Sequence, residues 1–158
     1  MQLDIRPYSS ADLPAMVELF RETVHKVCAK NYTAIQLEAW AGKVNLTAWD
    51  RSFSAHTSLL AFVDGLLAGF GDIRNDGYLD RLYVRWDLQG KGVGTALCDR
   101  LETSAPFNRV ITEASVTARP FFAHRGYKVI QAQQVVRRGI VLQNYMMEKN
   151  MKDFSEMS

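Results

Sequence analysis

The residues whose types and spacing carry the most chemistry are the glycines of Gln89-Gly90-Lys91-Gly92-Val93-Gly94-Thr95. They stand between an apolar run, Tyr78 to Val84, and a helical pattern at Val93, Leu97 and Leu101. A strand that delivers alternate glycines into a helix start gathers several backbone N–H groups where intrahelical partners are missing, and the helix dipole adds positive potential there. Glycine allows positive φ and lets a ligand approach the backbone where a Cβ would collide. The arrangement suits a phosphate or pyrophosphate. Lys91 offers a point charge, and Gln89 and Thr95 offer side-chain donors. Charge-assisted bonds of this kind are worth roughly 1.5–3 kcal/mol each, so four or five support micromolar binding. The plain alternative is a tight strand-to-helix turn. The run lacks the Gly-Lys-Ser/Thr ending of a Walker A loop, and Thr95 and Leu97 stand where a Rossmann fingerprint needs glycine or alanine.

The elements that must position this run follow from the pattern. Leu3-Asp4-Ile5-Arg6 alternates as a strand until Pro7. Ser9 to Asp12 then offers N-cap chemistry before a helical series at Leu13, Met16, Val17, Phe20, Val24 and Val27. Tyr32 to Phe53 reads as one or two short helices, with Gly42 the strong breaker. Two apolar runs, Leu59 to Val63 and Leu66 to Ile73, flank Asp64-Gly65, a hairpin signal, and Asn75-Asp76-Gly77 turns the chain into a third strand, Tyr78 to Val84. Beyond the glycine-led helix come a strand at Arg109 to Ala114, a short helix from Thr117 to His124, and two strand-like runs, Tyr127 to Val136 and Ile140 to Met147. The expected fold is a single α/β (α+β) domain over residues 1–150: a mixed, mostly antiparallel twisted sheet of about seven strands flanked by helices, with a frayed tail at 151–158.

The composition fits such a domain. The chain has 158 residues, 47% hydrophobic and 23% charged, enough to bury a core without disulfides or a structural metal. The formal net charge is +2, and no long basic run argues for nucleic acid or an anionic membrane. No apolar leader and no 18-residue apolar stretch is present, so a cytoplasmic protein is expected. Cys28 and Cys98 are isolated and read as buried thiols.

The segment Leu82-Tyr83-Val84-Arg85-Trp86-Asp87-Leu88-Gln89-Gly90-Lys91-Gly92-Val93-Gly94-Thr95-Ala96-Leu97 resembles the acetyl-CoA motif of the GNAT superfamily of N-acetyltransferases, commonly Leu-x-Val-x-Pro-x-x-Gln/Arg-Gly-x-Gly-Ile/Val-Gly. Thr117-Ala118-Arg119-Pro120-Phe121-Phe122-Ala123-His124-Arg125-Gly126-Tyr127 resembles the family's Asn-Ala-x-x-Phe-Tyr-x-x-x-Gly-Phe stretch. With the element order, the resemblance covers roughly residues 1 to 150. It implies an enzyme that transfers acetyl from acetyl-CoA to an amine. It also implies that the strand before the glycines bulges and splays from its neighbour, so that pantetheine adds to the sheet in the gap. On that reading Leu82, Tyr83, Val84, Gln89, Gly90, Lys91, Gly92, Val93, Gly94, Thr95, Thr117 and Phe122 contact the cofactor. This chain departs from the pattern at three places. Trp86 replaces proline, Thr117 replaces asparagine, and Phe122 replaces the tyrosine that protonates the leaving thiolate in many members. Tyr127, Tyr145 and Tyr83 are the substitute acids to consider, Tyr127 foremost. A non-catalytic acyl-CoA-binding module with the same fold is the alternative.

In direct transfer a neutral amine attacks the thioester, so an acceptor with pKa near 10 must first lose a proton, a task worth about 10²–10⁴-fold to a positioned base. Asp80 is the first candidate base, placed by period-two alternation on the face of Leu82 and Val84. Glu113, ending the adjacent strand, is the second. Each could equally be an ordinary surface carboxylate. His25, His56 and His124 read as ordinary histidines, and the i, i+3 pair His25 and Cys28 is too sparse for a metal site, so none is expected. Tyr32, Trp40, Trp49 and Phe53 could line an acceptor pocket, although aromatics at helical spacing more often form core. The final hairpin offers a β edge on which a homodimer could form.

Overall fold

The computed structural model describes residues 1–151. Strand β1 (Leu3–Pro7) leads into α1 (Leu13–Val27), whose entry is fixed by the Asp12 carboxylate accepting the Ser9 N–H at 3.0 Å and by Pro14 in the first turn. Its buried side chains, Met16, Leu19, Phe20, Thr23 and Val24, recur at helical spacing. The following segment forms two helices, α2 (Ala34–Ala41) and α3 (Leu46–Ala55). Thr33 and Gln36 cap α2 reciprocally, at 3.2 and 2.9 Å, and the Asn45 side chain caps α3 at 3.0 Å.

Strands β2 (Thr57–Val63), β3 (Leu66–Ile73) and β4 (Tyr78–Val84) form the expected meander. Asp64 (φ 49°) and Gly65 (φ 84°) make the left-handed two-residue turn that the Asp-Gly pair predicts. Helix α4 (Val93–Glu102), β5 (Arg109–Ser115), α5 (Arg119–His124), β6 (Lys128–Arg137) and β7 (Ile140–Asn150) complete the chain. The sheet has seven strands in the order β1-β2-β3-β4-β5-β7-β6, antiparallel except for the β4–β5 pair. The tail expected to fray at 152–158 lies outside the described residues. Met151 itself is attached, its N–H donating to the Asn108 carbonyl at 2.9 Å.

One core cluster lies under α4 and α5 (Val93, Leu97, Leu101, Phe122), and another under α1 to α3 (Met16, Phe20, Val24, Phe53). Two glycines of β3 set the depth at which α4 sits. A Cβ on Gly71 would stand 2.9 Å from the Leu101 side chain, and one on Gly69 would stand 3.3 Å from those of Val93 and Leu97. Helix α4 therefore rests on bare backbone, and its N-terminus is held close over the end of β4.

Candidate active site at the β4–β5 gap

Strands β4 and β5 pair only at Tyr78 with Ile111 and Leu79 with Thr112, and then part. Beyond Leu79, β4 stays bonded to β3 through Arg81, Leu82, Tyr83 and Val84, so its other edge is left without a strand partner. Unpaired N–H and C=O groups on such an edge can add an extended chain. A cavity of about 190 Å³ opens here, lined among others by Leu82, Val84, Gly94, Ala114, Ala118 and Phe122. It runs from the start of α4 to Asp80 and Glu113.

The glycines divide into two kinds. Gly90 (φ 72°) and Gly92 (φ 86°) are left-handed with open space around them, as an anion cradle requires. Gly94 lies inside α4, and its reason is packing: a Cβ there would stand 3.3 Å from the Phe121 ring. Lys91 and Thr95 are exposed beside the loop. Gln89 differs from its expected role. Its side-chain amide turns inward and donates to the Val84 carbonyl at 2.6 Å, closing the β4–α4 connection instead of facing a phosphate. Thr117 lines the cavity and donates to Asn31 Oδ1 at 2.8 Å.

Asp80 lies where the cavity narrows, but not on the face that alternation assigns it. Arg81 pairs with Asp72 and Leu79 with Ile73, so Asp80 is the extra residue of a β-bulge. The bulge turns Asp80 to the side of Arg81, whose guanidinium lies 3.4 Å from its carboxylate and covers the Phe53 ring, while Leu82 and Val84 pack toward α4. His56, Asp72 and Asp80 form a cluster that sequence reasoning missed. The fully buried Asp72 receives two bonds from Arg81, at 3.1 and 2.6 Å, and lies 2.7 Å from His56 Nδ1. Burial pushes the Asp72 carboxyl up from the usual carboxylate range, against the pull of Arg81 and His56. Arg81 supplies the cation of this cluster, and the cluster braces the bulge.

Asp80, Glu113, Trp40, Tyr83 and Ser115 also border a second cavity, of about 120 Å³, on the far side of the narrowing. Tyr32 and Trp40 line that cavity. Trp49 and Phe53 do not: their rings stack with Phe20 and Phe70 in the core. The Tyr32 hydroxyl donates to the Gln143 carbonyl at 2.6 Å and accepts the Val116 N–H at 2.9 Å, latching the α1–α2 connection across the gap. Burial, reinforced by Glu113 and Asp80, pushes the Tyr78 phenol far up, and burial does the same for Tyr83, so both remain protonated donors.

Tyr127 has to be withdrawn as the acid. Its ring is buried outside the cavity, and its hydroxyl donates to Glu102 Oε2 at 2.7 Å. Burial and the Glu102 charge raise its pKa well above the ordinary phenol range. Arg125 and Lys149 also bond Glu102, so the motif's final tyrosine serves to tie α4, α5 and β7 together. His25 bonds the Arg21 carbonyl at 2.6 Å and faces Glu38 at 3.4 Å.

A glycine cradle at a helix start, opening into a gap between two parallel strands of a seven-stranded sheet, is an arrangement shared with known proteins. The family described as "Acetyltransferase (GNAT) domain" matches residues 28–149. The chain belongs to the GNAT acetyltransferase family. Its structure superposes on a Rhodopseudomonas palustris chain described as a GCN5-related N-acetyltransferase, "Aminotransferase, Class-II", with a TM-score of 0.90 and 30% identity, covering 95% of this chain and 96% of that one. The uncharacterized N-acetyltransferase YafP of Escherichia coli K12 is 28% identical over 145 residues, 92% of this chain and 94% of its own length. The PaiA N-acetyltransferase of Thermoplasma acidophilum, in complex with coenzyme A, shares the fold with a TM-score of 0.77 at 22% identity, covering 95% and 99% of the two chains. This chain is accordingly an N-acetyltransferase of that family. Among the described residues no helix is long and apolar enough to cross a membrane.

Proposed function

We propose that the chain transfers the acetyl group of acetyl-CoA directly to a primary amine, with the pyrophosphate on the Gly90–Thr95 loop and the pantetheine along the open edge of β4 at Leu82, Tyr83 and Val84. The observation that carries this reading is the continuity of the gap, from the left-handed glycines to the two carboxylates. The coenzyme A complex of the PaiA relative supports it. The amine enters from the side of Trp40 and Tyr32. Asp80, or Glu113 opposite it, takes the amine proton, directly or through one water. The amine nitrogen bonds to the thioester carbon, the oxyanion is met by a backbone N–H on the unpaired β4 edge, and the C–S bond then breaks. Thiols are stronger acids than amines, a cysteine side chain ionising near 8.5 against about 10.4 for a lysine, so the thiolate can leave without a protein acid, in keeping with Phe122 at the cavity wall. The two buried thiols, Cys28 and Cys98, fit a reducing cytoplasm. The edge strand β6, with Val129, Ile130 and Val136 exposed, is where a homodimer would pair.

The test is thermal stability with acetyl-CoA, CoA or ATP, followed by thiol release with an amine panel. A shift of several degrees with the CoA species alone is expected. It should be lost in Gly92→Glu and in Thr95→Glu, the latter placing a carboxylate in the first turn of α4 without backbone strain. No shift with any CoA species refutes the cofactor site. Binding without thiol release for any amine refutes transfer and returns the chain to an acyl-CoA-binding module.

A further inference from the structure

The acceptor-side cavity carries a charge pattern that discriminates among amines. Its wall combines the acceptor-only carboxylates of Asp80 and Glu113. Ionised carboxylates can only accept, so a ligand that binds between them must bring donors. An ammonium group brings three such donors. Arg137, the last residue of β6, lines the same cavity. Its one described polar contact is a long bond to the Val136 carbonyl at 3.4 Å, and it has no ion pair among the described residues. Glu113, Asp80 and Arg137 thus border one small space, two acceptors and one cation. The cavity, about 120 Å³, takes a short molecule.

Resting on the acetyl-transfer reading above, we infer that the acceptor is a small amino carboxylate, its ammonium end held by Asp80 and Glu113 and its carboxylate by Arg137. The ammonium sits at the narrowing that leads to the thioester. Arg137 offers a planar pair of donors that matches a carboxylate. A diamine of the same length would bring its second ammonium against Arg137, and like charges at close range select against it. A simple monoamine would leave Arg137 solvated and gain nothing from it.

The experiment measures initial thiol release from saturating acetyl-CoA with glycine, β-alanine and 4-aminobutyrate, set against butylamine and 1,4-diaminobutane. The best amino carboxylate is expected to exceed the diamine at least about tenfold in kcat/KM, with butylamine between them. Arg137→Glu should invert that order and leave the KM for acetyl-CoA unchanged. A diamine that equals or surpasses the amino carboxylates overturns the inference, as does a preference that Arg137→Glu leaves intact. A second arm titrates the same amines calorimetrically into the chain saturated with CoA, which does not react. Preferential binding of amino carboxylates without thiol release would refute transfer and sustain this selectivity. Equal binding of all the amines would refute the selectivity, whatever the turnover.

Discussion

Replacing Asp80 with asparagine separates its chemical role from its structural one. The structural cost should be small. The Asp80 side chain is 34% exposed, and its contacts to Arg81 at 3.4 Å and His56 at 4.0 Å are those of a solvated pair, worth about 0.2–1 kcal/mol. Arg81 keeps both bonds to the buried Asp72 and its bond to Ser52, and the amide is nearly isosteric, so the bulge stays braced. The chemical cost should be large. At pH 7.4 about one molecule in a thousand of an amine with pKa about 10.4 is neutral, so transfer depends on a group that accepts its proton. Losing that group lowers kcat/KM by about 10²–10⁴, or roughly 2.7–5.4 kcal/mol of barrier. The assay is thiol release across pH 6 to 10 with saturating acetyl-CoA, beside thermal melting. For Asp80→Asn we expect an unchanged melting temperature within about 2 °C and a log(kcat/KM) that climbs with pH as free amine forms, narrowing the gap to wild type toward pH 10. If Asp80→Asn retains activity within threefold while Glu113→Gln collapses, the base is Glu113. If neither variant loses tenfold, the assignment of a carboxylate base at this narrowing is wrong.

Two further outcomes test the elements around the site. Glu102→Gln leaves Arg125 and Lys149 around a neutral amide, and breaking a buried ion cluster of this kind should destabilise the chain by about 3–5 kcal/mol in denaturant melts. Burial raises the Glu102 pKa, but the bonds from Arg125, Tyr127 and Lys149 outweigh it and hold the carboxyl below its ordinary value of about 4.3. Its stabilisation is therefore complete above that value and lost as pH falls through the lower folded value, so the stability gap between wild type and Glu102→Gln should narrow below pH 4. Tyr127→Phe removes one bond to the same carboxylate and should cost about 1.5–3 kcal/mol while leaving kcat within twofold. A tenfold loss of kcat with little loss of stability would restore Tyr127 as the acid.

What the sequence made legible is what neighbouring residues decide among themselves. Asp64-Gly65 requires two left-handed residues in succession, and the Gly90 and Gly92 cradle requires them at alternate positions, so composition betrays both. Gly94 has the same identity for another reason, the Phe121 ring, and no local pattern separates the two cases. The same limit explains Asp80. Alternation placed it beside Leu82 and Val84, but the register of β3 against β4 inserts one residue at Asp80 and reverses its face, and a bulge that needs no glycine leaves no mark on composition. The cluster of His56, Asp72 and Arg81 joins three strands or strand ends, and the Tyr127–Glu102 bond joins β6's entry to α4. In each case the partner is chosen by topology and not by spacing. The proposed cofactor half of the site is a local motif. The proposed acceptor half draws on Trp40, Asp80, Glu113 and Arg137, which meet only because β4 and β5 part and β7 folds back beside β5. Its specificity is a property of that assembly, which is why Arg137, unremarkable between Val136 and Arg138 in the sequence, is the residue whose charge reversal reports most directly on what the gap admits.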